Sequence, residues 1–311
     1  MLVCPKCFKY RSISDYITFK GVEGICHGCG ASGEPVIEAS RLQDRFVRLS
    51  DYYTAFAEWE LDDDEPYDGP GGLLSDLLQQ EWGIWAREFD VYKIDDFLEK
   101  VFPYFDLRCL YAPPDMWHES PDDEFKRLAR KLMHDRRFFV KPVGLFERDL
   151  DELLGESLED FVNLTLPTRW FRARKHFRVV GDNKPDAYSQ TQIGAPDPQG
   201  VFRGGRANPA GISYLYLSST LDTVIAEVRA DQGDFVSVGS FEIPPRLRVI
   251  DLAQSLKRLD PFISGPPLAR EIERRILLRE FSRWLSRPVR EEEHELNYVV
   301  TQYLSEYILS K

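Results

Sequence analysis

The pairs Cys4-Pro-Lys-Cys7 and Cys26-His-Gly-Cys29 stand 18 residues apart, and no other feature of the sequence constrains its folding so narrowly. Each pair offers two thiolates from one tight turn, the spacing of a closed Cys4 zinc site with no position left open for chemistry. The segment between the pairs is long enough for a hairpin that brings the turns together. Apart from Tyr16, Ile17 and Phe19, the first 35 residues show little apolar periodicity, so they cannot build a core alone and need such a staple. A redox dithiol is the rival reading, but that motif usually occurs once and near a βαβ pattern. Cys4, Cys7, Cys26 and Cys29 are therefore expected to hold a structural Zn2+. His27 is then a loop residue, and Cys109 a small buried hydrophobe rather than a nucleophile.

From Arg41 the spacing turns helical: Leu42, Phe46 and Leu49, then Tyr53, Phe56 and Ala57, recur at intervals of three, four and seven. An acidic loop runs from Glu58 to Gly72. Further helical sets follow, Leu74, Leu77, Leu78 and Trp82, then Phe125, Leu128 and Leu132, so the middle of the chain reads as mainly α. Beyond Leu166 strands alternate with helices. Tyr214 to Leu217, Phe235 to Ile243 and Leu247 to Leu252 are rich in β-branched and aromatic residues, while Leu268 to Leu285 and Leu296 to Ile308 are helical. The expected organisation is α+β: a zinc ribbon over 1–35, a helical region over 36–165 and a mixed α/β domain over 166–311.

A net charge of −12 opposes wholesale attraction to nucleic acid or to anionic membranes. The first fifty residues carry seven Lys and Arg against five Asp and Glu, too even a balance to mark a nucleic-acid surface there. No stretch approaches the roughly 20 apolar residues that span a bilayer, and Met1 leads into Cys4 with no signal-peptide pattern. Together with paired cysteines suited to metal, this reads as a cytoplasmic protein.

One stretch reverses the sign. Between Pro167 and Gly211 eight Lys and Arg face three Asp, and the stretch ends in Phe202-Arg-Gly-Gly-Arg206-Ala-Asn208-Pro-Ala-Gly211. Glycines there allow a backbone to approach a ligand and arginines can clamp phosphate bidentately, although a solvated basic loop reads the same on charge alone. The following segment signals a helix with Ser219 as its cap. On a wheel of about 100° per residue, Leu221, Val224, Ile225 and Val228 share one face and Glu227 falls at its edge, beside Thr220 and Thr223. A boundary carboxylate near an arginine loop fits a catalytic arrangement, and an exposed helix glutamate fits equally well.

The ordered set Gly204-Gly-Arg206-Ala-Asn208-Pro-Ala-Gly211, Tyr214-Leu-Tyr216-Leu-Ser218-Ser219 and Thr223-Val-Ile-Ala-Glu227-Val228 resembles the core of RES domains, toxin components of bacterial toxin–antitoxin pairs. Trp170-Phe-Arg172 resembles the short strand that carries the family's other arginine, and alanine stands at Ala207 where the family has tryptophan. The resemblance covers about the last 145 residues. It implies an ADP-ribosyltransferase-like fold with a cleft for NAD as substrate, in which Arg206 and Arg172 bind phosphate, Asn208 lines the cofactor site, Tyr216 stacks on nicotinamide or ribose, and Glu227 is the catalytic carboxylate. The reaction implied is cleavage of the nicotinamide–ribose bond, with water, phosphate or a protein side chain as acceptor.

The partners implied are NAD and an antitoxin or defence protein. The family ends on a further strand with a serine that completes the site, whereas this chain stops at Lys311. Either that strand is missing or another chain supplies it, which leaves a homo-oligomer open, and Ser305, on a helix, is no replacement. The middle region also looks like the HEPN-like helical region found in some chains of this family. Arg127 and His134 satisfy the Arg-x4–6-His spacing of HEPN ribonucleases, with a solvated helix face as the alternative. An inactive RES-like binding module is the remaining reading.

Overall fold

A computed structural model of the chain describes residues 1–56, 71–114, 121–135, 137, 168–176, 185–244, 249, 252, 259–287 and 298–310. They fall into two compact units, Met1–His118 with Lys257–Glu273, and Glu119–Leu256 with Arg274–Lys311.

In the first unit β1 (Leu2–Val3), β2 (Val22–Ile25) and β3 (Ser32–Glu38) form an antiparallel sheet in the order β1-β3-β2. The chain between the cysteine pairs is not simply a hairpin. It begins with α1 (Arg11–Lys20), because Ile13 and Ile17, one turn apart, are fully buried and Arg11 pairs with Asp15 at 3.2 Å across the same spacing. The hairpin comes next, between β2 and β3, and Cys26–Cys29 lies in its turn.

α2 (Gln43–Ser50) buries Phe46 and Leu49 as their spacing predicts. The helix stops there. Thr54–Phe56 is strand β4, drawn out of the helical pattern by antiparallel pairing with β6 (Leu110–Ala112), which also pairs with β5 (Gly72–Leu73). The middle of the chain therefore holds a small sheet that the mainly α reading lacked. Leu74, Leu77, Leu78 and Trp82 are all buried on α3 (Leu74–Leu77) and the π turn that continues it to Trp82. α4 (Ile94–Val101) buries Phe97, Leu98 and Val101.

These elements share one aromatic core. The Phe46 ring lies 4.8 Å from Phe262, 5.6 Å from Phe97 and 5.7 Å from Phe102, while Phe8, next to Cys7, lies 5.6 Å from Phe97. Emptying such a position to alanine costs about 3–5 kcal/mol. Backbone bonds tie the segment from Ile84 to Asp90 to both cysteine turns: Lys9 N donates to Ile84 O, Ala86 N to Cys7 O and Asp90 N to Gly28 O, each at 2.9 Å. The cysteine turns and the segment from Ile84 to Asp90 thus belong to one compact unit.

In the second unit α5 (Pro121–Arg130) buries Phe125 and Leu128, and the π turn that follows it buries Leu132; Phe125 lies 5.8 Å from the Trp284 ring. β7 (Arg169–Lys175) pairs antiparallel with β8 (Val236–Glu242) along its whole length, from Arg169↔Glu242 to Lys175↔Val236. α6 (Gln190–Ile193) opens on a capping box made by Ser189 and Gln192. α7 (Leu221–Glu227), α8 (Leu268–Ser286) and α9 (Val299–Leu309) complete the unit, the division between units falling inside α8.

Tyr214 to Leu217 forms no ladder. A single antiparallel bridge, Phe171 with Ser218, ties the end of that segment to β7. The acidic loop from Glu58 and most of Leu247 to Leu252 lie outside the described residues. Among the described residues no helix is long and apolar enough to cross a membrane.

Candidate active site and metal centre

The four cysteines converge. Their sulfurs all lie within 4.8 Å of one another, with Cys4–Cys7 at 3.9 Å, Cys4–Cys29 at 3.5 Å and Cys7–Cys26 at 3.4 Å. Tetrahedral bonds of about 2.3 Å to zinc place sulfurs about 3.8 Å apart, so the donor set fits the ion in number, chemistry and spacing. The hydrogen bond from Cys7 pulls Cys26 down to about 4, whereas burial pushes Cys4 up to about 12 and Cys7 is raised by its bond to Cys26 and by burial. Metal binds cysteine as thiolate, so loading the cluster is coupled to the release of thiol protons.

Gly28 fits beneath this centre because it lacks a side chain: a Cβ there would lie 2.7 Å from the Phe89 ring and 3.1 Å from Cys7 Sγ. Gly28→Ala is expected to destabilise the first unit by about 1–3 kcal/mol through overpacking. Thermal melting and the rate of zinc loss to a chelator would read that change, and a variant indistinguishable from wild type in both would contradict it.

In the second unit the glycine-rich loop is folded onto itself. Gly205 N donates to Asn208 O at 2.8 Å, and buried Asn208 gives its amide to Ile212 O at 2.8 Å and Pro209 O at 3.2 Å. Tyr216 Oη donates to Asn208 Oδ1 at 2.7 Å and accepts from Ala207 N at 3.3 Å. These bonds explain why the Tyr214 segment leaves the ladder. At these two positions the glycines make room for protein: a Cβ on Gly205 would meet Asn208 Oδ1 at 2.6 Å, and one on Gly204 would meet Gln302 Nε2 at 2.7 Å.

Sequence reasoning missed the far wall of this loop. Gln302 Nε2 donates to Gly205 O at 2.8 Å and the wholly buried Thr301 donates to Arg206 O at 2.5 Å. A threonine and Ser305 within the apolar face formed by Val300 and Leu304 were the available signal, since buried hydroxyls require partners. Arg206 itself is engaged. Its Nη1 donates to Leu285 O at 2.7 Å and Arg287 O at 2.5 Å, capping the C-terminal end of α8, and its guanidinium lies 5.5 Å from the Tyr298 ring.

Arg172 contrasts with it. On β7, one residue beyond the Phe171–Ser218 bridge, its Nη1 is buried with no hydrogen-bond partner among the described residues. Burial, then the neighbouring Arg174 charge, lowers its pKa. Arg174 instead donates to Gln192 O. Tyr216, its hydroxyl anchored and its pKa raised by burial, is 43% exposed as a residue.

The helix bearing Glu227 is less buried than its wheel predicts. Val224 alone of the expected face is fully buried, with Leu221 and Ile225 almost half exposed, because α7 is under two turns long and meets β7 through a narrow strip. Thr220 rather than Ser219 caps it, accepting from Thr223 N at 3.4 Å. Glu227 stands exposed at the C-terminal end, with no hydrogen bond or ion pair among the described residues. Hydrogen bonds thus join Asn208 and Tyr216 to each other and to the neighbours of Arg206, whose own bonds go to Leu285, Arg287 and Thr301, while among the described residues none joins Arg172 or Glu227 to them. Arg127 and His134 lie on α5 and its π turn, with His134 exposed.

The sequence model of the RES domain matches residues 169–311. Neither a curated protein nor a solved structure matches the chain. RES domains are associated with NAD-related toxin activity and often pair with antitoxins. With the basic strand, the glycine loop and the α7 carboxylate all inside that match, residues 169–311 of this chain are a RES domain.

Proposed function

We propose that the RES domain binds NAD and cleaves its nicotinamide–ribose bond. The observation that carries this reading is Arg172: a buried guanidinium nitrogen without a partner is costly unless an anion arrives to meet it. A pyrophosphate does so with charge-assisted hydrogen bonds. Tyr216, clamped by Asn208, offers its ring to the nicotinamide or ribose. Arg206 holds the loop to the end of α8, and its Nε and Nη2, which make no hydrogen bond among the described residues, are left for phosphate.

In the reaction the C–N glycosidic bond breaks with its electron pair moving to the nicotinamide nitrogen, which neutralises the pyridinium and leaves positive charge on the ribose. Glu227 stabilises that charge more than it stabilises the ground state. Water, phosphate or a protein nucleophile then adds to the ribose carbon, giving up its proton. The Cys4 centre holds zinc as a folding element. The protein acts in the cytoplasm under the restraint of an antitoxin-like partner.

Incubating the full chain with NAD and phosphate should release nicotinamide, and the mass of the second product identifies the acceptor. Arg172→Ala should weaken NAD binding about 10–100-fold, the worth of a hydrogen bond to a charged group. No nicotinamide release from zinc-loaded protein, or wild-type NAD affinity in Arg172→Ala, overturns the proposal.

A further inference from the structure

A cavity of about 440 Å3 lies in the first unit, lined by Met1, Cys26, His27, Lys93, Asp96 and Lys100. None of these residues belongs to the RES domain. Lys93, Asp96 and Lys100 recur at i, i+3 and i+7 along α4 and the residue before it, flanking the strip that buries Phe97, Leu98 and Val101. The other wall is the turn that carries Cys26 and His27.

The geometry points to a second anion site here, for a phosphate-bearing ligand of nucleotide size. Leu2 N donates to His27 Nδ1 at 3.2 Å, so the neutral ring carries its hydrogen on Nε2 and can donate to a ligand. Lys93 Nζ donates to His27 O at 2.8 Å, which fixes the turn against α4 with an ammonium at the join. Among the side chains that line the cavity, two lysines and an imidazole donor stand against one carboxylate, Asp96. Lysine ammoniums bind phosphate as point charges.

Their carboxylate partners are not among the lining residues. Lys93 pairs with Asp90 and Lys100 with Glu99, both at 3.6 Å and both between exposed side chains. Such pairs hold weakly and yield to a better anion. The volume sits in the range of small-molecule sites, about 300–1,000 Å3, larger than a bare phosphate fills. Asp96 supplies the acceptor that a sugar hydroxyl requires.

A zinc tetrathiolate carries two negative charges, and Cys26 is part of the wall, so the rival role for these lysines is to neutralise the metal centre. Lysine acetylation of the zinc-loaded full chain, read by peptide mass spectrometry, separates the two. AMP should protect Lys93 and Lys100 from acetylation and adenosine should not. Lys100→Gln, which leaves the Lys93 contact to His27 intact, should lower AMP affinity measured by that protection at least tenfold, with zinc content and melting unchanged. Equal labelling with and without AMP, equal protection by adenosine, or a Lys100→Gln chain that sheds zinc while AMP still protects Lys93 as in wild type, overturns the site.

Discussion

Replacing Glu227 by glutamine is expected to slow NAD cleavage by about 10²–10³-fold, some 2.7–4 kcal/mol of barrier, the usual effect of removing one preorganised electrostatic partner of a transition state. Glutamine keeps the size and an acceptor oxygen and loses the negative charge. Because Glu227 is exposed and makes no hydrogen bond or ion pair among the described residues, the exchange breaks nothing that holds α7, and stability should move by no more than about 0.5 kcal/mol. A carboxylate that is only solvated predicts the same stability and unaltered turnover. Single-turnover assays on folded wild type and variant separate the two outcomes, and full activity in Glu227→Gln ends the catalytic assignment.

The second large effect concerns Cys26. Cys26→Ser removes one of the four converging sulfurs, and zinc content should fall from one ion per chain toward none. Structural zinc contributes about 10–16 kcal/mol in small zinc-binding peptides, as much as or more than the roughly 5–15 kcal/mol that stabilises a whole domain. The first unit should therefore lose its cooperative melting transition, in the variant and in wild type treated with a strong chelator alike. A Cys26→Ser chain that melts like wild type would show that the aromatic core around Phe46 suffices without metal.

How far these features could be read in advance depends on the range of the interactions behind them. The cysteine pairs and the helices through Leu74 and Leu268 announce themselves within a few residues, because turn spacing and amphipathic period are local. β4 was hidden because Tyr53 and Phe56 continue a helical period, and only pairing with β6, more than fifty residues on, overrides it. α1 was hidden for the opposite reason: two isoleucines one turn apart are too short a pattern to stand out.

The RES site shows the same divide. Its residue set was legible as an ordered motif, but the occupation of Arg206 was not, since the carbonyls it caps lie 79 and 81 residues away. The glycines were assigned to ligand approach, and their neighbours proved to be Asn208, Tyr216 and Gln302. Arg172 is the converse case. Its position on β7 followed from sequence, whereas the lack of a partner for its Nη1 among the described residues could come only from the fold.

The bonds from the Ile84–Asp90 segment to the cysteine turns also set an order of events during synthesis. Phe89 closes over Gly28, and Asp90 N secures the second turn, so a nascent chain exposes all four thiols well before the segment that shields them has left the ribosome. Metal captured in that interval would lack the cover of Phe89 and Asp90 and stand more open to exchange with competing ions. Once Asp90 emerges the centre closes, and selectivity for its ion passes from equilibrium to the rate at which the finished body opens.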